Sequence, residues 1–248
     1  NTTLGVVRTI REHLKPHHEV FIVEMGAKQR GDIKEICDLV HPEIGIVTSV
    51  GEMHLETFGS VENIARTKFE LIESLPEGGF GVVNVDSEAA YNYVKGQNIK
   101  AMTYAIENHK ADYRAVDIAY SQLETSFSVQ VGDRVDEGYA THILGRGNIL
   151  NITAALAVAD HLGVSLSERR RAVKQIEQVE HRLSMRCNGG ITILDDAYNS
   201  NPTGARMALE VLRDFASEGK RYVVTPGFVE MGAKQYDNNR AFGCDIAR

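Results

Sequence analysis

The side chains best suited to chemistry fall within residues 45–70, in the stretch GIVTSVGEMHLETFGSVENIARTKFE. An apolar, strand-like segment there runs into a polar loop that holds His54 and Glu56, and a helical segment that carries Lys68 follows. A histidine beside a carboxylate can bind a metal ion, and a lysine can approach a phosphate group or another anion. The stretch therefore predicts a site for a metal ion and a phosphate group.

Each of these residues also has an ordinary structural interpretation. An isolated loop histidine such as His54 is more often a hydrogen-bonded structural residue, and a lone helical lysine such as Lys68 is usually a surface charge. A carboxylate at the end of a strand, such as Glu24, often caps a helix or forms a salt bridge. The chemical interpretation therefore depends on several such residues meeting at one place.

Alternating helices and strands can bring these residues together. Apolar residues at helical spacing predict helices over residues 4–14, 32–40 and 61–75, and apolar runs predict buried strands over residues 19–25, 44–50 and 81–85. This alternation favours an α/β fold with a mostly parallel sheet flanked by helices, in which ligands lie beyond the carboxyl ends of the strands. Glu24, the His54 loop and Asn84 fall at such ends, so we expect them at one edge of the sheet.

The second half of the chain changes pattern. Alternation in FSVQV and a turn at Gly132-Asp133 predict an antiparallel hairpin between residues 113 and 144. The further elements predicted are helices over residues 148–162 and 165–179, a strand ending at Asp195-Asp196, a helix from near Pro202 and a strand over residues 222–225. The helix at 165–179 opens with a capping box formed by Ser165 and Glu168. Because a new strand–helix–strand series starts near His181, we place a domain boundary there.

Composition excludes several classes of partner. The net charge is −7, so we expect no general attraction to nucleic acid or to an anionic membrane. The run Arg169-Arg170-Arg171 is interpreted as a solvated helix face. No apolar run is long enough for membrane insertion. The three cysteines are widely separated, which favours a reducing cytoplasm over a disulfide framework.

Several stretches, taken in order, resemble the ATP-dependent Mur ligases. They are NTTLGV, VEMGAKQRGDI, IVTSVGEMHLETFGSVENIARTKFELI, VVNVD, GRGNILNITAALA, HRLS and LDDAYNSNP. The last contains DDAYNSNP, which is typical of the branch that adds D-alanyl-D-alanine to UDP-N-acetylmuramoyl-tripeptide in peptidoglycan precursor synthesis. The resemblance implies a cytoplasmic, monomeric amide ligase that uses ATP and Mg²⁺ and forms an acyl phosphate.

The resemblance also implies a domain arrangement. Residues 1–180 would form the P-loop-type central domain, and residues 181–248 the first part of a second, Rossmann-like α/β domain. A related ligase that adds lysine, diaminopimelate or glutamate is an alternative. A non-catalytic nucleotide- or partner-binding module is another.

Individual residues gain implied roles from the same resemblance. Glu24 and His54 would bind magnesium, and Lys68 would be carbamylated and serve as a further metal ligand. The implied nucleotide-binding residues are Asn84, Asn148, Asn151, Arg182, Asp195 and Asp196. The implied substrate-binding residues are Thr2, Thr3, Asn199 and Asn201. On the residues alone, Asn148 and Asn151 could instead cap the following helix, Arg182 could be a surface residue, and the segment after Asp195 could be an ordinary turn.

Two features depart from the family pattern. Gly147 stands where the family usually has histidine, which affects an adenine contact. The sequence also contains no G-x-x-x-x-G-K-[ST] phosphate loop. In the family that loop precedes the NTTLG stretch, and both ends of the chain look cut, so we expect a truncated ligase with little or no ATP hydrolysis of its own.

Overall fold

A computed structural model of the chain describes residues 2–51, 55–121, 124–198, 202–215, 219–229 and 231–247. In chain order, its helices are α1 (Thr3–Glu12), α2 (Asp32–Val40), α3 (Leu55–Phe58), α4 (Val61–Glu73), α5 (Glu88–Gln97), α6 (Arg146–His161), α7 (Leu166–Lys174), α8 (Pro202–Asp214) and α9 (Gln235–Ile246), the last preceded by a 3₁₀ turn (Gly232–Lys234). Its strands are β1 (Ile44–Val47), β2 (Phe80–Asn84), β3 (Met102–Ala105), β4 (Tyr113–Tyr120), β5 (Thr125–Val131), β6 (Arg134–Thr141), β7 (Ser184–Asn188) and β8 (Ile191–Asp195).

Six strands form one sheet in the order β1-β2-β3-β4-β5-β6. The pairs β1–β2, β2–β3 and β3–β4 are parallel, and β5–β6 is an antiparallel hairpin that turns at Gly132-Asp133. The mostly parallel α/β sheet and the hairpin predicted from sequence are therefore confirmed.

The chain divides into two compact units, residues 1–114 and residues 115–248. The domain boundary near His181, inferred from the sequence pattern, stays a prediction. In the described ranges no helix has the length and apolar character needed to cross a bilayer.

The core of the first unit forms where α4 packs on the sheet. Ile64, Phe69 and Ile72 of α4 lie in one buried cluster with Val47 of β1 and Val83 of β2. Their successive spacings of five and three residues keep them on one side of the helix, in agreement with the period that predicted α4. This packing fixes α4, and with it Lys68, beside the ends of β1 and β2.

The core of the second unit includes α6, α7 and the β5–β6 hairpin. Phe127 and Tyr139 face each other across the hairpin, with ring centroids 5.2 Å apart. Helix α7 opens with the predicted capping box, since Ser165 and Glu168 each bind the other's backbone N–H. A smaller buried cluster of Leu144, Leu183 and Val211 lies in the same unit.

Two predicted strands are absent from the described residues. Residues 19–25 and 222–225 have no strand structure, and Ile22 and Val224 are 89% and 98% exposed. An apolar run becomes a strand only where a neighbouring strand accepts its backbone hydrogen bonds, and neither run pairs with a strand in the described part of the chain. The strand predictions for these two segments, including a strand that ends at Glu24, were therefore wrong.

The interpretation of Arg169-Arg170-Arg171 as a solvated face was also wrong for its first residue. Arg169 is 6% exposed and forms ion pairs with Asp136 and Asp160. Arg170 is partly buried and donates to the carbonyl of Glu137, whereas Arg171 is exposed. An amphipathic helix places consecutive residues about 100° apart, so three adjacent arginines cannot share one face.

Candidate functional site

The loop that follows β1 is bound by side chains from three other elements. Strand β1 ends at Val47, three residues before the predicted limit, and the backbone of residues 48–50 is then held by side chains. Asn84 Nδ2 donates to the carbonyl of Thr48 at 2.7 Å, and Lys68 Nζ donates to the carbonyl of Ser49 at 2.7 Å. Ser87 binds both the N–H and the carbonyl of the next residue, Val50. This loop leads directly to residues 52–54.

Lys68 has the surroundings of a reactive lysine. Its side chain is partly buried, and burial lowers the pKa of its ammonium group. Among the described residues no carboxylate lies within ion-pair distance of Nζ, so no anion opposes the loss of its proton. A partly desolvated amine bound to a carbonyl fits the chemistry needed for carbamylation.

The other predicted metal ligands are placed less fully. Glu24 is exposed, and His54 lies outside the described residues. Helix α3 begins at Leu55, so Glu56 lies on a short helix and not in a loop. Among the described residues, no three His, Cys, Asp or Glu side chains lie close enough to share a metal ion. The magnesium site of Glu24, His54 and Lys68 therefore stays a prediction.

Two carboxylates that sequence reasoning missed hold the segment after Glu24. Asp32 Oδ2 accepts from the backbone N–H groups of Lys28 and Gln29 at 2.8 and 3.0 Å. These bonds, first the one from Lys28, lower the pKa of Asp32. Glu70 accepts from the backbone of Gly31 and Lys34, at 2.9 and 3.0 Å, and so satisfies free N–H groups at the start of α2.

Helix α4 therefore holds two loops at once. Lys68 binds the loop after β1, and Glu70, two residues later, binds residues 31–34. Glu70 is 9% exposed, which marks it as a buried structural carboxylate. Its sequence signal was weak, because a glutamate in a charged helix is expected on the surface.

Asn84 is a structural link at the end of β2. Its side chain is 4% exposed; Nδ2 donates to Thr48, and Oδ1 accepts from the N–H of Asp86 at 2.9 Å. Asp86 in turn accepts from the backbone of Ile106 and Asn108 at 2.6 and 2.9 Å. The buried amide thus joins the carboxyl ends of β1 and β2, and its implied contact with nucleotide stays a prediction.

In the second unit, Asn148 and Asn151 lie on one face of α6, three residues apart. The N-cap of this helix is Gly145, so the interpretation of either asparagine as the cap was wrong. Asn148 Nδ2 donates to the carbonyl of Leu144 at 2.7 Å, and Asn151 is exposed. The Met207 methyl group fills the space beside Gly147, where a Cβ atom would lie only 2.1 Å from it.

Arg182 lies on a strained segment. His181 and Leu183, on either side of it, have φ angles of 62° and 50°, in the left-handed region that non-glycine residues rarely adopt. Three hydrogen bonds hold this backbone: Tyr198 N–H donates to the carbonyl of His181 at 3.0 Å, Leu183 N–H donates to Asp196 at 3.0 Å, and His181 Nδ1 donates to Asp195 at 2.9 Å. The Arg182 guanidinium lies over the ring of Tyr198, 4.4 Å from its centroid.

The two neighbouring aspartates have opposite pKa shifts. The hydrogen bond from His181 is the largest cause that lowers the pKa of Asp195, which also lies 3.3 Å from Arg186. Burial raises the pKa of Asp196, against the bond from Leu183 N–H. Asp195 thus helps to hold the hairpin of β7 and β8 together, whereas Asp196 is a desolvated carboxylate beside Arg182.

The remaining predicted substrate residues lie at the start of the chain or outside the described ranges. Thr2 is the N-cap of α1, and its hydroxyl accepts from the N–H of Gly5 at 3.3 Å. Thr3 is the first residue of α1. Asn199 and Asn201 lie outside the described residues.

This arrangement defines an α/β protein whose parallel strands end in polar, side-chain-bound loops beside a desolvated lysine. Residues 1–159 match the Mur ligase middle domain. The chain therefore belongs to the Mur ligase family, as its motifs indicated.

Curated relatives extend the match along the whole chain. The UDP-N-acetylmuramoyl-tripeptide–D-alanyl-D-alanine ligase of Bacillus subtilis is 27% identical over 248 residues, which is 100% of this chain and 52% of the relative. The Escherichia coli ligase of the same name is 29% identical over 240 residues, covering 94% of this chain and 51% of the relative. The chain spans about half the length of the curated relatives it matches.

Solved structures show the same fold. MurF from Acinetobacter baumannii is 26% identical with a TM-score of 0.84, covering 100% of this chain and 53% of that protein. MurF from Thermotoga maritima, solved in complex with ADP, is 26% identical with a TM-score of 0.83, covering 99% of this chain and 56% of that protein.

Proposed function

We propose that the full natural protein that carries this chain is an ATP-dependent ligase, which joins D-alanyl-D-alanine to UDP-N-acetylmuramoyl-tripeptide in the cytoplasm. The observation that carries the proposal is the match to ligases of this name along the whole chain. That match includes LDDAYNSNP, the stretch typical of the D-alanyl-D-alanine-adding branch. The reaction needs ATP, which agrees with the ADP complex of a structural neighbour.

The proposed reaction has two steps. A carboxylate oxygen of the tripeptide attacks the γ-phosphorus of ATP, which forms an acyl phosphate and releases ADP. The amine of D-alanyl-D-alanine then attacks the acyl carbon, inorganic phosphate leaves, and the amine loses a proton. The first step brings anions together, so the site must supply positive charge and hold both reactants in position.

Residues of the first unit would serve the transferring phosphoryl group. Mg²⁺, which Glu24, His54 and a carbamylated Lys68 would hold, supplies positive charge to the phosphate oxygens. Lys68 becomes a carbamate when its neutral amine attacks the carbon of carbon dioxide: an N–C bond forms and a proton is released. The lowered pKa of Lys68 supports this, because more of the amine is neutral at a given pH. The carbamate nitrogen keeps one N–H, so its hydrogen bond to Ser49 can persist.

Residues of the second unit would serve the nucleotide. Asn148 and Asn151 would lie near adenine, Arg182 near the phosphates and Asp196 near the ribose. The strained backbone at 181–183 supports a functional role for Arg182, because strain of about 1–3 kcal/mol per residue persists where surrounding bonds enforce it. Asp195 would hold this backbone through His181.

The proposal is tested by assaying the full natural protein with UDP-N-acetylmuramoyl-tripeptide, ATP and Mg²⁺. We expect a new amide product and one phosphate per product with D-alanyl-D-alanine, and none with lysine, diaminopimelate or glutamate. Product formed instead from one of these three amino acids and a UDP-N-acetylmuramoyl acceptor with a shorter peptide would identify a different Mur ligase. ATP binding without product from any of them would support the non-catalytic alternative.

A further inference from the structure

Arg182 is held by an aromatic ring and not by a carboxylate. Its Cζ atom lies over the Tyr198 ring, 4.4 Å from the centroid. The negative face of an aromatic ring attracts a cation, and arginine is the cation most often found in such pairs. The ring carries no acceptor comparable to a carboxylate oxygen, so this contact restrains the guanidinium while its N–H donors stay available.

Arg186, four residues later, is held in the opposite way. Its Nη2 atom lies 2.9 Å from Glu180 and 3.3 Å from Asp195, so carboxylates already pair with its charge. In the described part of the chain no such ion pair or side-chain hydrogen bond involves Arg182. A guanidinium whose donors have no protein partner is suited to bind an anion such as a phosphate group.

The same tyrosine also holds the backbone that carries Arg182. Its N–H donates to the carbonyl of His181 at 3.0 Å, in the segment where His181 and Leu183 have positive φ angles. On the other side of Arg182, the N–H of Leu183 donates to Asp196 at 3.0 Å. Residues 196–198 therefore restrain the main chain on both sides of the arginine, and the ring of Tyr198 restrains its side chain.

We infer that Tyr198 is a positioning residue of the nucleotide site: its ring holds the Arg182 guanidinium in place while leaving its N–H donors available to the phosphate groups of ATP. This inference rests on the proposed function, which assigns Arg182 to the phosphates. A carboxylate in place of the ring would pair with the same donors and compete with the phosphate oxygens. An aromatic partner restrains the arginine without that competition.

The experiment is a double-mutant cycle in the full natural protein. Tyr198→Leu removes the aromatic ring and Tyr198→Phe keeps it, and both retain the backbone N–H that binds His181. Tyr198 is 66% exposed, so neither substitution removes a large buried surface. Each is combined with Arg182→Gln, and with Arg186→Gln as the matched control for loss of a nearby arginine. The dissociation constant of the β,γ-imido analogue of ATP is measured with Mg²⁺ present, together with the melting temperature.

Tyr198→Leu should weaken binding of the analogue about fivefold, the upper end for an exposed contact of this kind. In the ligation assay, kcat/KM for ATP should fall by a similar factor. Tyr198→Phe should stay within about twofold of wild type, because the ring remains. Once Arg182 is replaced by glutamine, Tyr198→Leu should have no further effect. In the Arg186→Gln background its effect should persist in full, since independent sites are additive.

An equal effect of Tyr198→Leu with and without Arg182 would overturn the inference, because the ring would then act without the arginine. A lower melting temperature with unchanged binding would overturn it as well, since Tyr198 would then serve stability alone. A wild-type protein that binds the analogue but forms no product would refute the proposed ligase activity, while the cycle would still decide whether Tyr198 acts through Arg182. A wild-type protein that does not bind the analogue would overturn both.

Discussion

Arg169 Nη1 lies 3.0 Å from Asp136 Oδ2, and the two side chains are only 6% and 4% exposed. Arg169 Nη2 also lies 3.0 Å from Asp160, and Arg134 lies 3.0 Å from Asp136. These pairs tie α7 to β6 and α6. Because a buried charge has lost its hydration, the stability of this arrangement depends on every charge keeping a partner.

Arg169→Ala should therefore destabilise the chain strongly. It leaves Asp136 buried with Arg134 as its remaining ion-pair partner among the described residues, and we expect the free energy of unfolding to fall by about 3 kcal/mol, the lower end of the range for a broken buried pair. Arg171→Ala is the matched control, since it makes the same substitution in the same helix at an exposed site, and should change stability by less than about 0.5 kcal/mol. Denaturant unfolding followed by circular dichroism measures both. Equal losses in the two variants would contradict the role of the buried pair.

Lys68→Ala in the full natural protein should abolish measurable ligation. The variant has no amine to carbamylate, and short-chain carboxylic acids should restore part of the activity by supplying the missing carboxylate. Lys68→Arg should stay inactive, because its guanidinium keeps the positive charge but forms no carbamate. Lys95→Ala, at an exposed site on α5, serves as the control and should ligate normally. A ¹³C carbamate signal from labelled bicarbonate, present in wild type and absent in Lys68→Ala, checks the modification without any assay of turnover.

The sequence predicted those parts of the fold that depend on local periodicity. Helix α2 has the predicted bounds, and α4 and β2 differ from prediction by one or two residues, since their apolar spacing directly records which face is buried. The strand predictions for residues 19–25 and 222–225 were wrong because strand formation depends on a neighbouring strand and not on local periodicity alone. An apolar run says nothing about whether a partner strand lies beside it.

The site was predictable only in part, because its contacts join distant residues. Lys68 was selected by motif, but its bond to Ser49 depends on α4 packing beside the end of β1. Ser87 has the sequence signal of a helix cap, so local reasoning assigns its hydroxyl to α5 and misses Val50. Sequence reasoning also missed the role of Glu70, because only the tertiary structure shows that its carboxylate binds the start of α2.

Gly145 and Gly147 should respond differently to alanine. Gly145 has φ 89° and ψ 139°, and its added Cβ would lie 2.6 Å from Leu183 Cδ2, so Gly145→Ala should cost about 1–3 kcal/mol through backbone strain and overlap. At Gly147 the overlapping atom is the end of the flexible Met207 side chain, which can rotate away. Helix propensity also favours alanine there, so Gly147→Ala should change stability by less than about 1 kcal/mol. Melting temperatures test the contrast, and an equal loss at both sites would refute it.

Asp195 and Asp196 should make opposite contributions to stability as pH changes. The pKa of Asp195 is lowered by His181, so its contribution is present above the unfolded-state pKa of about 3.9 and is lost as pH falls through the lower folded value. The pKa of Asp196 is raised by burial, so its contribution is present below about pH 3.9 and is lost as pH rises through the higher folded value. At neutral pH Asp195 therefore stabilises the fold, and ionised Asp196 opposes it.

Asp195→Asn should accordingly lower the free energy of unfolding at pH 7, and Asp196→Asn should raise it. An asparagine at position 196 can still accept from the N–H of Leu183 but carries no desolvated charge. Acidification should reduce both differences from wild type. The difference for Asp196→Asn should shrink as pH falls through the raised pKa of Asp196, and the difference for Asp195→Asn should shrink only below about pH 4. Denaturant unfolding at intervals between pH 7 and pH 3 measures them. Changes of the same sign at pH 7 would show that the two carboxylates share one environment, contrary to the different contacts of His181 with Asp195 and of Leu183 with Asp196.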